Sequence, residues 1–406
     1  MTYKEALAWL FGTQRFGIKL GLENIQRLLG ALDVPAPEQR IVHVAGTNGK
    51  GSVCAMIDSI ARVEGCRTGL FTSPHLVSFR ERIQVNGEPV SETAVASSLT
   101  SIHGIIREWN PHPTFFEIAT ALGLQHFHAQ RCELIVLETG LGGRLDATNA
   151  VTPVVSVITP IDYDHQRWLG STLAEIAFEK AGIIKPGVPV VSSAQEPVVE
   201  KVLRARANDC KAAIRFVIEE YAEGAIGLAG AHQARNAALA IAALSSAQVG
   251  VTPDAIARGL AQIRWPARFQ RWNEGIVIDG AHNAAGARVV AETWRQIFGA
   301  EKAALVFGVL RDKDIAAVYR ELSGLTALVV LPRFTGERVV PPEEVAVIVA
   351  TVSPQIRCHI THSCSEALKI AQRTPHRVLV AGSLHLAGEV LAHLRGRPAA
   401  FEECAQ

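Results

Sequence analysis

The feature that most constrains the fold of this chain is the run Ile41–Ser52, in which an apolar stretch is followed at once by a glycine-rich turn. This order predicts a β-strand, a tight turn and an α-helix over about residues 51–64. Backbone N–H groups in such a turn can point at phosphate oxygens, and the helix N-terminus adds partial positive charge there. The spacing departs from the usual Gly-x4-Gly-Lys-Ser/Thr motif, because only two residues separate Gly46 from Gly49.

The side chains of this turn suit a nucleotide phosphate site. A lysine can reach the β- and γ-phosphates of ATP, and a serine hydroxyl can meet the accompanying Mg²⁺ ion. A turn without a ligand is the simpler alternative, but neither Lys50 nor Ser52 is needed merely to form a turn. We therefore predict ATP contacts from Gly46, Thr47, Asn48, Gly49, Lys50, Gly51, Ser52 and Val53.

Composition favours a protein that binds small molecules. The 406 residues include 40 Lys and Arg against 39 Asp and Glu, so the net charge is +1 and no broad basic surface for nucleic acid is expected. The seven cysteines form no Cys-x-x-Cys pair, which predicts neither a disulfide framework nor a zinc site. No signal-peptide pattern and no apolar run near the roughly 18 residues of a membrane span is present. We expect a cytoplasmic protein with no membrane partner.

Apolar strand-like runs alternate with helical patterns along the chain, which is typical of an α/β fold with largely parallel sheets. A first series of strands is predicted at residues 41–45, 68–72, 133–138, 154–159 and 188–192. A second series is predicted at 275–280, 303–309, 325–331 and 377–381, with helices at 284–298, 312–322 and 385–394.

Helical periodicity stops near Pro266, and the residue before a proline is biased towards extended backbone. We therefore predict two domains. Residues 1–266 are expected to form a P-loop ATPase-like domain with a mostly parallel sheet, and residues 267–406 a smaller Rossmann-like α/β domain.

Polar clusters follow several predicted strands, at the edge where open α/β sheets bind ligands. Any one of them could be an ordinary solvated loop, but together they supply oxygen and imidazole groups for a Mg–nucleotide site: Ser52, Ser73, Glu138 and His165. Magnesium prefers oxygen ligands, so a histidine that only forms hydrogen bonds stays an alternative for His165.

Six motifs occur in a fixed order between about residues 16 and 390: Gly46–Ser52, Ser73–Leu76 with Glu81–Ile83, Glu138–Asn149, Asp164–His165, Glu179–Ile183 and Asp279–Asn283. Together they closely resemble the folylpolyglutamate synthase/dihydrofolate synthase branch of the Mur ligase superfamily. The resemblance implies an ATP- and Mg²⁺-dependent ligase that adds L-glutamate to a folate or to dihydropteroate through an acyl phosphate. We expect a monomer. The alternatives are another Mur-type amino-acid ligase acting on a peptidoglycan precursor, or a non-catalytic nucleotide-binding module.

The resemblance also assigns residues to metal and catalytic roles. Ser73, Glu138 and His165 match the magnesium ligands of the family, with Ser52 contributing through the phosphate loop. Lys180 matches the lysine that the family carbamylates to N6-carboxylysine, where an ordinary surface lysine is the alternative reading. The residues expected to be catalytic are Lys50, His165, Lys180 and His282.

The remaining assignments concern the substrates. The pterin side is predicted at Ile18, Lys19, Leu20, Gly21, Thr114, Phe115, Phe116, Glu117, Leu145, Asp146 and Ala147. Phe115 and Phe116 could instead belong to the core, and some bifunctional members have Asp where this chain has Lys19, which leaves dihydropteroate use open. Further nucleotide contacts are predicted from Asn236, Arg268 and Asp279, and glutamate contacts from Arg82, His282 and Ser383. Ser383 could also be a plain helix N-cap.

Overall fold

The computed structural model describes residues 1–17 and 21–402. Within these residues the strands form two separate sheets, one of eight strands and one of six. The first sheet contains β1 (Arg40–Ala45), β2 (Thr68–Phe71), β3 (Ile83–Val85), β4 (Glu88–Pro89), β5 (Leu134–Glu138), β6 (Val155–Ile158), β7 (Val190–Ser193) and β8 (Ile214–Val217). The second contains β9 (Gln270–Asn273), β10 (Ile276–Ile278), β11 (Ala303–Phe307), β12 (Thr326–Pro332), β13 (Arg357–Thr361) and β14 (Arg377–Ala381).

The first sheet has the strand order β4-β3-β2-β5-β1-β6-β7-β8. It is parallel except at β3 and β4, which pair antiparallel. Strand β1 lies between β5 and β6, and its register places Val44 beside both Glu138 of β5 and Val157 of β6. The loops that follow these three strands therefore leave the sheet at the same edge, where side chains can converge on a ligand.

The second sheet has the order β13-β12-β11-β14-β10-β9 and is parallel except for the β9–β10 pair. The segments after β10, β11 and β14 likewise leave this sheet at one edge. The α/β class and the two largely parallel sheets predicted above are confirmed. The domain boundary at residue 266 falls between β8 and β9 and stays a prediction.

Helices flank both sheets. They are α1 (Tyr3–Gly12), α2 (Glu23–Leu32), α3 (Lys50–Glu64), α4 (Glu92–Ile106), α5 (Phe115–Ala129), α6 (Gln166–Leu169), α7 (Leu173–Ala181), α8 (Pro197–Asp209), α9 (His232–Ser246), α10 (Pro253–Gln262), α11 (Ala284–Phe298), α12 (Ile315–Ser323), α13 (Pro342–Val352), α14 (Cys364–Gln372) and α15 (Leu384–Leu394). Short 3₁₀ helices span Thr13–Phe16, Phe79–Arg82, Ala147–Ala150 and Pro398–Ala400. Of the helices in residues 1–17 and 21–402, none combines the length and apolarity that crossing a membrane requires.

The helix after the glycine-rich turn is largely buried. Residues 51–61 of α3 are all buried, and the helix packs against α9 and α10 as well as the sheet. Its position is therefore fixed on every side. The turn before it is held at one place relative to the sheet edge, as preorganised binding of phosphate requires.

Candidate active site

A cleft of about 630 Å³ lies where the ligand edges of the two sheets face each other. Most of the predicted site residues line it: Gly21, residues 46–52, Ser73, residues 114–117, Glu138, residues 145–147, His165, Lys180, Asn236, Arg268, Asp279, His282 and Ser383. Among the predicted site residues that the structure describes, Val53 and Arg82 do not line the cleft. The predicted pterin residues Ile18, Lys19 and Leu20 lie outside the described part of the chain.

The phosphate loop requires glycine at two positions. Gly46 has φ +148°, and a Cβ there would collide with the Thr159 side chain. Gly49 has φ +89°, and its Cβ would lie 3.0 Å from Oδ1 of Asn236. Both are conformations that L side chains rarely adopt. The turn therefore brings backbone within contact distance of Asn236, which explains how a residue of α9 belongs to the nucleotide side of the cleft.

Lys50 is the first residue of α3, and its side chain bends back over the turn. Its Nζ donates hydrogen bonds to the carbonyl oxygens of Gly46 at 3.2 Å and Thr47 at 3.3 Å. The backbone N–H groups of Thr47 and Asn48 hold the loop to the carbonyl of Pro160. The ammonium and the first turn of α3 thus concentrate positive charge at one end of the cleft.

Glu138 ends β5 as a carboxylate that is only 5% exposed. Burial raises the pKa of this carboxyl group, and the positive charge of Lys50 acts in the opposite direction. One carboxylate oxygen accepts a hydrogen bond of 3.2 Å from the backbone N–H of Ser73. The contact brings Ser73 and Glu138 together, as expected for two members of the predicted metal set.

The donors near the phosphate loop fit a hard divalent cation that takes the rest of its ligands from a nucleotide and water. Magnesium is usually held in this way, by one or two carboxylates together with phosphate oxygens. Glu138 supplies a carboxylate, and Ser52 and Ser73 supply hydroxyls in the same cleft. Nowhere in the described ranges do three or more His, Cys, Asp or Glu side chains cluster into a metal cage.

Lys180 lies near the C-terminus of α7 and is 5% exposed. Its Nζ donates a 2.8 Å hydrogen bond to the carbonyl oxygen of Gly46, the same oxygen that accepts from Lys50. Burial, with a smaller contribution from the charge of Lys50, lowers the pKa of this amine to about 7. An amine with such a pKa is largely neutral at mildly alkaline pH. The alternative of an ordinary surface lysine does not fit this position.

The carboxylate of Asp164, in the first domain, is contacted by three side chains from the second domain. Its oxygens lie 2.6 Å from Nζ of Lys313, 3.1 Å from Nδ2 of Asn283 and 3.4 Å from Nε2 of His282. Burial alone would raise the pKa of this carboxyl group, but the hydrogen bond from His282 and the neighbouring positive charges hold it far below its usual range. Asn283 also donates to Oδ1 of Asn48 in the phosphate loop, at 3.1 Å.

His165 belongs to this charged group. Its Nε2 lies 3.4 Å from Nζ of Lys313, and its Nδ1 lies 3.8 Å from a carboxylate oxygen of Asp312. Burial lowers the pKa of His165 to about 4, which keeps the ring neutral. A neutral imidazole is the form that binds metal. In this arrangement, however, the ring faces Lys313, and its role as a metal ligand stays a prediction.

The remaining residues of the second domain are arranged mainly by their own backbone. Asp279 accepts hydrogen bonds from the N–H groups of Phe269 at 2.6 Å and Ala281 at 2.7 Å, which fixes the segment that carries His282. Arg268 donates to the carbonyl of Ala267 at 3.0 Å and extends into the cleft. Ser383 caps α15 by accepting from the N–H of His385, so the N-cap reading is correct, although Ser383 also lines the cleft.

The predicted pterin side contains two carboxylates that accept hydrogen bonds from nearby residues of the chain. Asp146 accepts from the N–H groups of Gly140, Leu141 and Thr148 and from the Thr148 hydroxyl. Glu117 accepts from the N–H and hydroxyl of Thr114. These carboxylates therefore shape the loops that form the wall of the cleft.

The two phenylalanines predicted on the pterin side differ. Phe115 is 5% exposed and packs its ring on Phe11 at 5.9 Å between centroids, as the core alternative anticipates. Phe116 is more exposed and lies against Gly140, where a Cβ would be 2.6 Å from its ring. Of the two, only Phe116 has the partial exposure that a ring stacking on a flat ligand needs.

Arg82 does not line the cleft, unlike the other two residues predicted to bind glutamate. It is fully buried, and its Nε donates a 2.9 Å hydrogen bond to Nδ1 of His75. Conversely, the sequence analysis did not identify Lys313 as a site residue. Its position just after β11, at the ligand edge of a parallel sheet, was the available signal.

Comparisons with known proteins show which family the chain resembles. Residues 44–224 match the model of the Mur ligase middle domain, and residues 267–384 match that of the Mur ligase glutamate ligase domain. A Bacillus subtilis protein named dihydrofolate synthase/folylpolyglutamate synthase is 36% identical over 354 residues, which cover 79% of this chain and 82% of the relative.

Solved structures extend the similarity to the whole chain. Folylpolyglutamate synthase of Mycobacterium tuberculosis, complexed with ADP and AMPPCP, is 30% identical with a TM-score of 0.88, covering 97% of this chain and 99% of that one. A bifunctional folylpolyglutamate synthase/dihydrofolate synthase of Yersinia pestis, complexed with AMPPNP and a Mn ion, is 29% identical with a TM-score of 0.87, covering 97% and 98%.

Proposed function

Because the chain belongs to the Mur ligase family, in the group of folylpolyglutamate and dihydrofolate synthases, we propose that it is an ATP-dependent ligase that joins L-glutamate to a folate. The observation that carries the proposal is the composition of the cleft. It combines a phosphate loop, a buried carboxylate and two lysines from one domain with Arg268, His282 and Ser383 from the other. We propose dihydropteroate as a second acceptor. Whether the protein uses it is decided by measuring turnover with dihydropteroate.

The proposed reaction has two steps. A carboxylate of the folate attacks the γ-phosphate of ATP, giving an acyl phosphate and ADP, and the amine of glutamate then displaces phosphate to form the amide. In the first step two anions must meet, so the main task of the protein is positioning and charge stabilisation. Lys50 and the N-terminal turn of α3 carry the positive charge for this step, since both lie at the phosphate loop.

We propose Mg²⁺ as the metal, held by Glu138 and by the hydroxyls of Ser52 and Ser73, with His165 as a further ligand. When bound, the cation would neutralise phosphate charge and hold the reacting groups in line. The buried Glu138 carboxylate supports this assignment, because burial raises its pKa and a divalent cation would stabilise its ionised form.

Lys180 is proposed to act as a carbamate. The neutral amine attacks CO₂, a C–N bond forms and one proton leaves, so that the side chain becomes an anion on a long stem. Its lowered pKa of about 7 and its contact with Gly46 both support this reading, because the amine is available and lies at the phosphate loop. The anion could then help to organise the metal and the acyl phosphate.

The second domain is proposed to complete the site. Arg268 lies in the cleft beside the buried carboxylate of Asp279, and we assign it to the nucleotide phosphates together with Asn236. His282 and Ser383 are assigned to the incoming glutamate. Because these groups come from the opposite sheet, closure of the two domains would assemble the site and exclude water.

One chain supplies both sides of this cleft, which supports a monomer as the active species. We propose a monomeric enzyme, and light scattering during turnover would test this. The charge balance and the nature of the substrates favour the cytoplasm as its location.

The function is tested by glutamate-dependent release of ADP from Mg-ATP, with dihydropteroate and tetrahydrofolate offered in separate reactions. Turnover with both acceptors indicates a bifunctional synthase, whereas turnover with tetrahydrofolate alone indicates chain extension only. The absence of glutamate-dependent ADP release with either acceptor would contradict the proposed function. A reaction without glutamate measures ATP hydrolysis that is not coupled to ligation.

A further inference from the structure

The loop that follows β2, residues 73–79, belongs to the first domain by sequence but packs into the core of the second. Val77 is buried in a cluster with Ile278 of β10 and Leu386 and Val390 of α15. Leu76 packs against the same cluster, and a Cβ on Gly388 of α15 would collide with the Leu76 carbonyl oxygen. The loop is therefore an apolar contact between the two domains, beside the cleft that Ser73, His75 and Leu76 line.

Residues 397–402, here called the strap, return from the end of α15 to this loop. The backbone N–H of Glu402 donates a 2.8 Å hydrogen bond to the carbonyl of Val77. Its carboxylate accepts from the Tyr3 hydroxyl at 3.0 Å, the Ser78 hydroxyl at 3.1 Å and the backbone N–H of Phe79 at 2.5 Å. Glu402 thus ties the strap to α1 and to the loop at the same time.

His75 provides a further contact, and its tautomer is fixed by its neighbours. Nε of Arg82 can only donate, so Nδ1 of His75 accepts its 2.9 Å hydrogen bond and the ring proton resides on Nε2. That Nε2–H donates to the carbonyl oxygen of Glu402 at 2.8 Å. Burial, together with the charge of Arg82, lowers the pKa of His75 well below its usual value, which keeps the ring neutral.

Docking of the strap places an aromatic ring in the cleft. Phe401 lines the cleft and meets the ring of His385 edge-on, with 5.2 Å between centroids. The ring of Phe334 is a second neighbour of His385, with 6.1 Å between the two ring centroids. His385 is two residues from Ser383, so the ring of Phe401 stands at the end of the cleft assigned to the incoming amino acid.

We propose that the strap is a part of the amino-acid site, in which Glu402, His75 and Arg82 are positioning residues that hold Phe401 in the cleft wall. This inference rests on the proposed function for the identity of the amino acid. It gives a role to the Ser-Pro-His-Leu and Glu-Arg motifs, whose His75 and Arg82 are hydrogen-bonded to each other.

The first test is the pair Glu402→Ala and Glu402→Gln, with Glu38→Ala as an exposed glutamate control. Loss of the charged acceptor in Glu402→Ala is expected to raise KM for glutamate about tenfold while leaving kcat and KM for ATP within about twofold. Glu402→Gln keeps an oxygen that can accept hydrogen bonds from Ser78 and Phe79. This variant should therefore raise KM for glutamate by about threefold or less. Phe401→Ala, which leaves Glu402 in place, should reproduce the change in KM for glutamate.

Docking of the strap is measured independently of turnover by hydrogen–deuterium exchange in the peptide covering residues 73–82. Faster exchange in Glu402→Ala, with the selective rise in KM, supports the proposal. Unchanged exchange or an unchanged KM for glutamate overturns it, and so does an equal rise in both KM values, which would indicate a merely structural role. A wild-type protein without glutamate-dependent ADP release would contradict the proposed function, while the exchange comparison still decides whether Glu402 holds the loop.

Discussion

Asp164 and Lys313 form a buried ion pair that joins the two domains across the cleft, with 2.6 Å between the carboxylate and the ammonium. Asp164 follows β6 of the first sheet, and Lys313 follows β11 of the second. Their side chains are 8% and 6% exposed. The pair can therefore form only when the two sheet edges face each other.

Removing one partner of this pair should destabilise the folded protein. Lys313→Met leaves the Asp164 carboxylate buried without its counter-charge, and we expect the free energy of unfolding to fall by about 3–5 kcal/mol. The double variant Asp164→Asn, Lys313→Met should be less destabilised than the sum of the two single changes. Urea denaturation of all four proteins measures this coupling.

The exposed pair of Asp254 and Arg258 on α10 provides the control, since their side chains are 71% and 63% exposed. Arg258→Met should change stability by less than about 1 kcal/mol. Additive effects of the two substitutions at Asp164 and Lys313 would contradict a specific interaction between them.

Lys50→Ala should abolish ADP formation and leave the protein folded. The ammonium lies over the phosphate loop and is only partly buried, so its loss removes charge from the site with little effect on the core. We expect kcat/KM to fall by at least about a hundredfold, in the range of other preorganised contacts to developing charge.

Steady-state ADP release and thermal unfolding measure the two consequences separately. Lys201→Ala, on the exposed face of α8, is the matched control and should behave like the wild type. Normal turnover in Lys50→Ala would refute the phosphate assignment.

Carbamylation of Lys180 should increase as the pH rises through 7. CO₂ reacts only with the neutral amine, and burial lowers the pKa of Lys180 to about 7, so the neutral fraction passes one half at that pH. At constant CO₂ pressure, a carbamate signal from ¹³C-labelled CO₂ should therefore grow between pH 6 and 8 and be absent in Lys180→Ala. A signal that begins only near the ordinary lysine pKa of about 10.4 would show that the site does not activate this amine.

Lys180→Ala should also lose most of its activity and recover part of it when short carboxylates are added, because such anions can occupy the space of the carbamate. ADP release with and without added acetate measures the recovery. A fully active variant that does not respond to acetate would rule out the proposed role.

Glu138→Gln should weaken binding of the metal more than folding. The amide is nearly isosteric and can still accept from the Ser73 N–H, but it carries no charge for a divalent cation. We expect the concentration of Mg²⁺ or Mn²⁺ needed for half-maximal ATP binding to rise about tenfold or more.

Calorimetric titration of ATP binding at a series of metal concentrations measures this shift. Glu133→Gln, just before β5 and exposed, is the matched control. An unchanged metal requirement in Glu138→Gln would remove this carboxylate from the metal site.

The strands that the sequence pattern predicted are those in the interior of the sheets, and those it missed lie at or next to the edges. β1, β5 and β6 are buried almost throughout, so each appears as a continuous apolar run. β8, β9 and β13 are sheet edges with mixed or exposed faces, and polar residues interrupt each of them, so none appears as a continuous apolar run. Such strands exist because a neighbouring strand offers hydrogen bonds, which is a tertiary condition.

The candidate site divides in a similar way. The glycine pattern at residues 46–51 was sufficient to predict a tight turn between a strand and a helix, because backbone conformation there depends on local residue type. That this turn binds phosphate stays a prediction. The core position of Phe115, the burial of Arg82 behind His75 and the pairing of Asp164 with Lys313 depend on residues far apart in the chain.

The sequence by itself therefore determined the α/β class, the interior strands, the glycine-rich turn before α3 and the order of motifs that identifies the family, since each is encoded in consecutive residues. The tertiary structure alone decided which side chains share the cleft and which carboxylates accept hydrogen bonds from their own loops. It also decided that residues 75–82 and Glu402 meet across the two domains. The physical reason is that burial, hydrogen bonding and charge pairing at a cleft arise from contacts between separate elements, and these form only when the two sheets pack face to face.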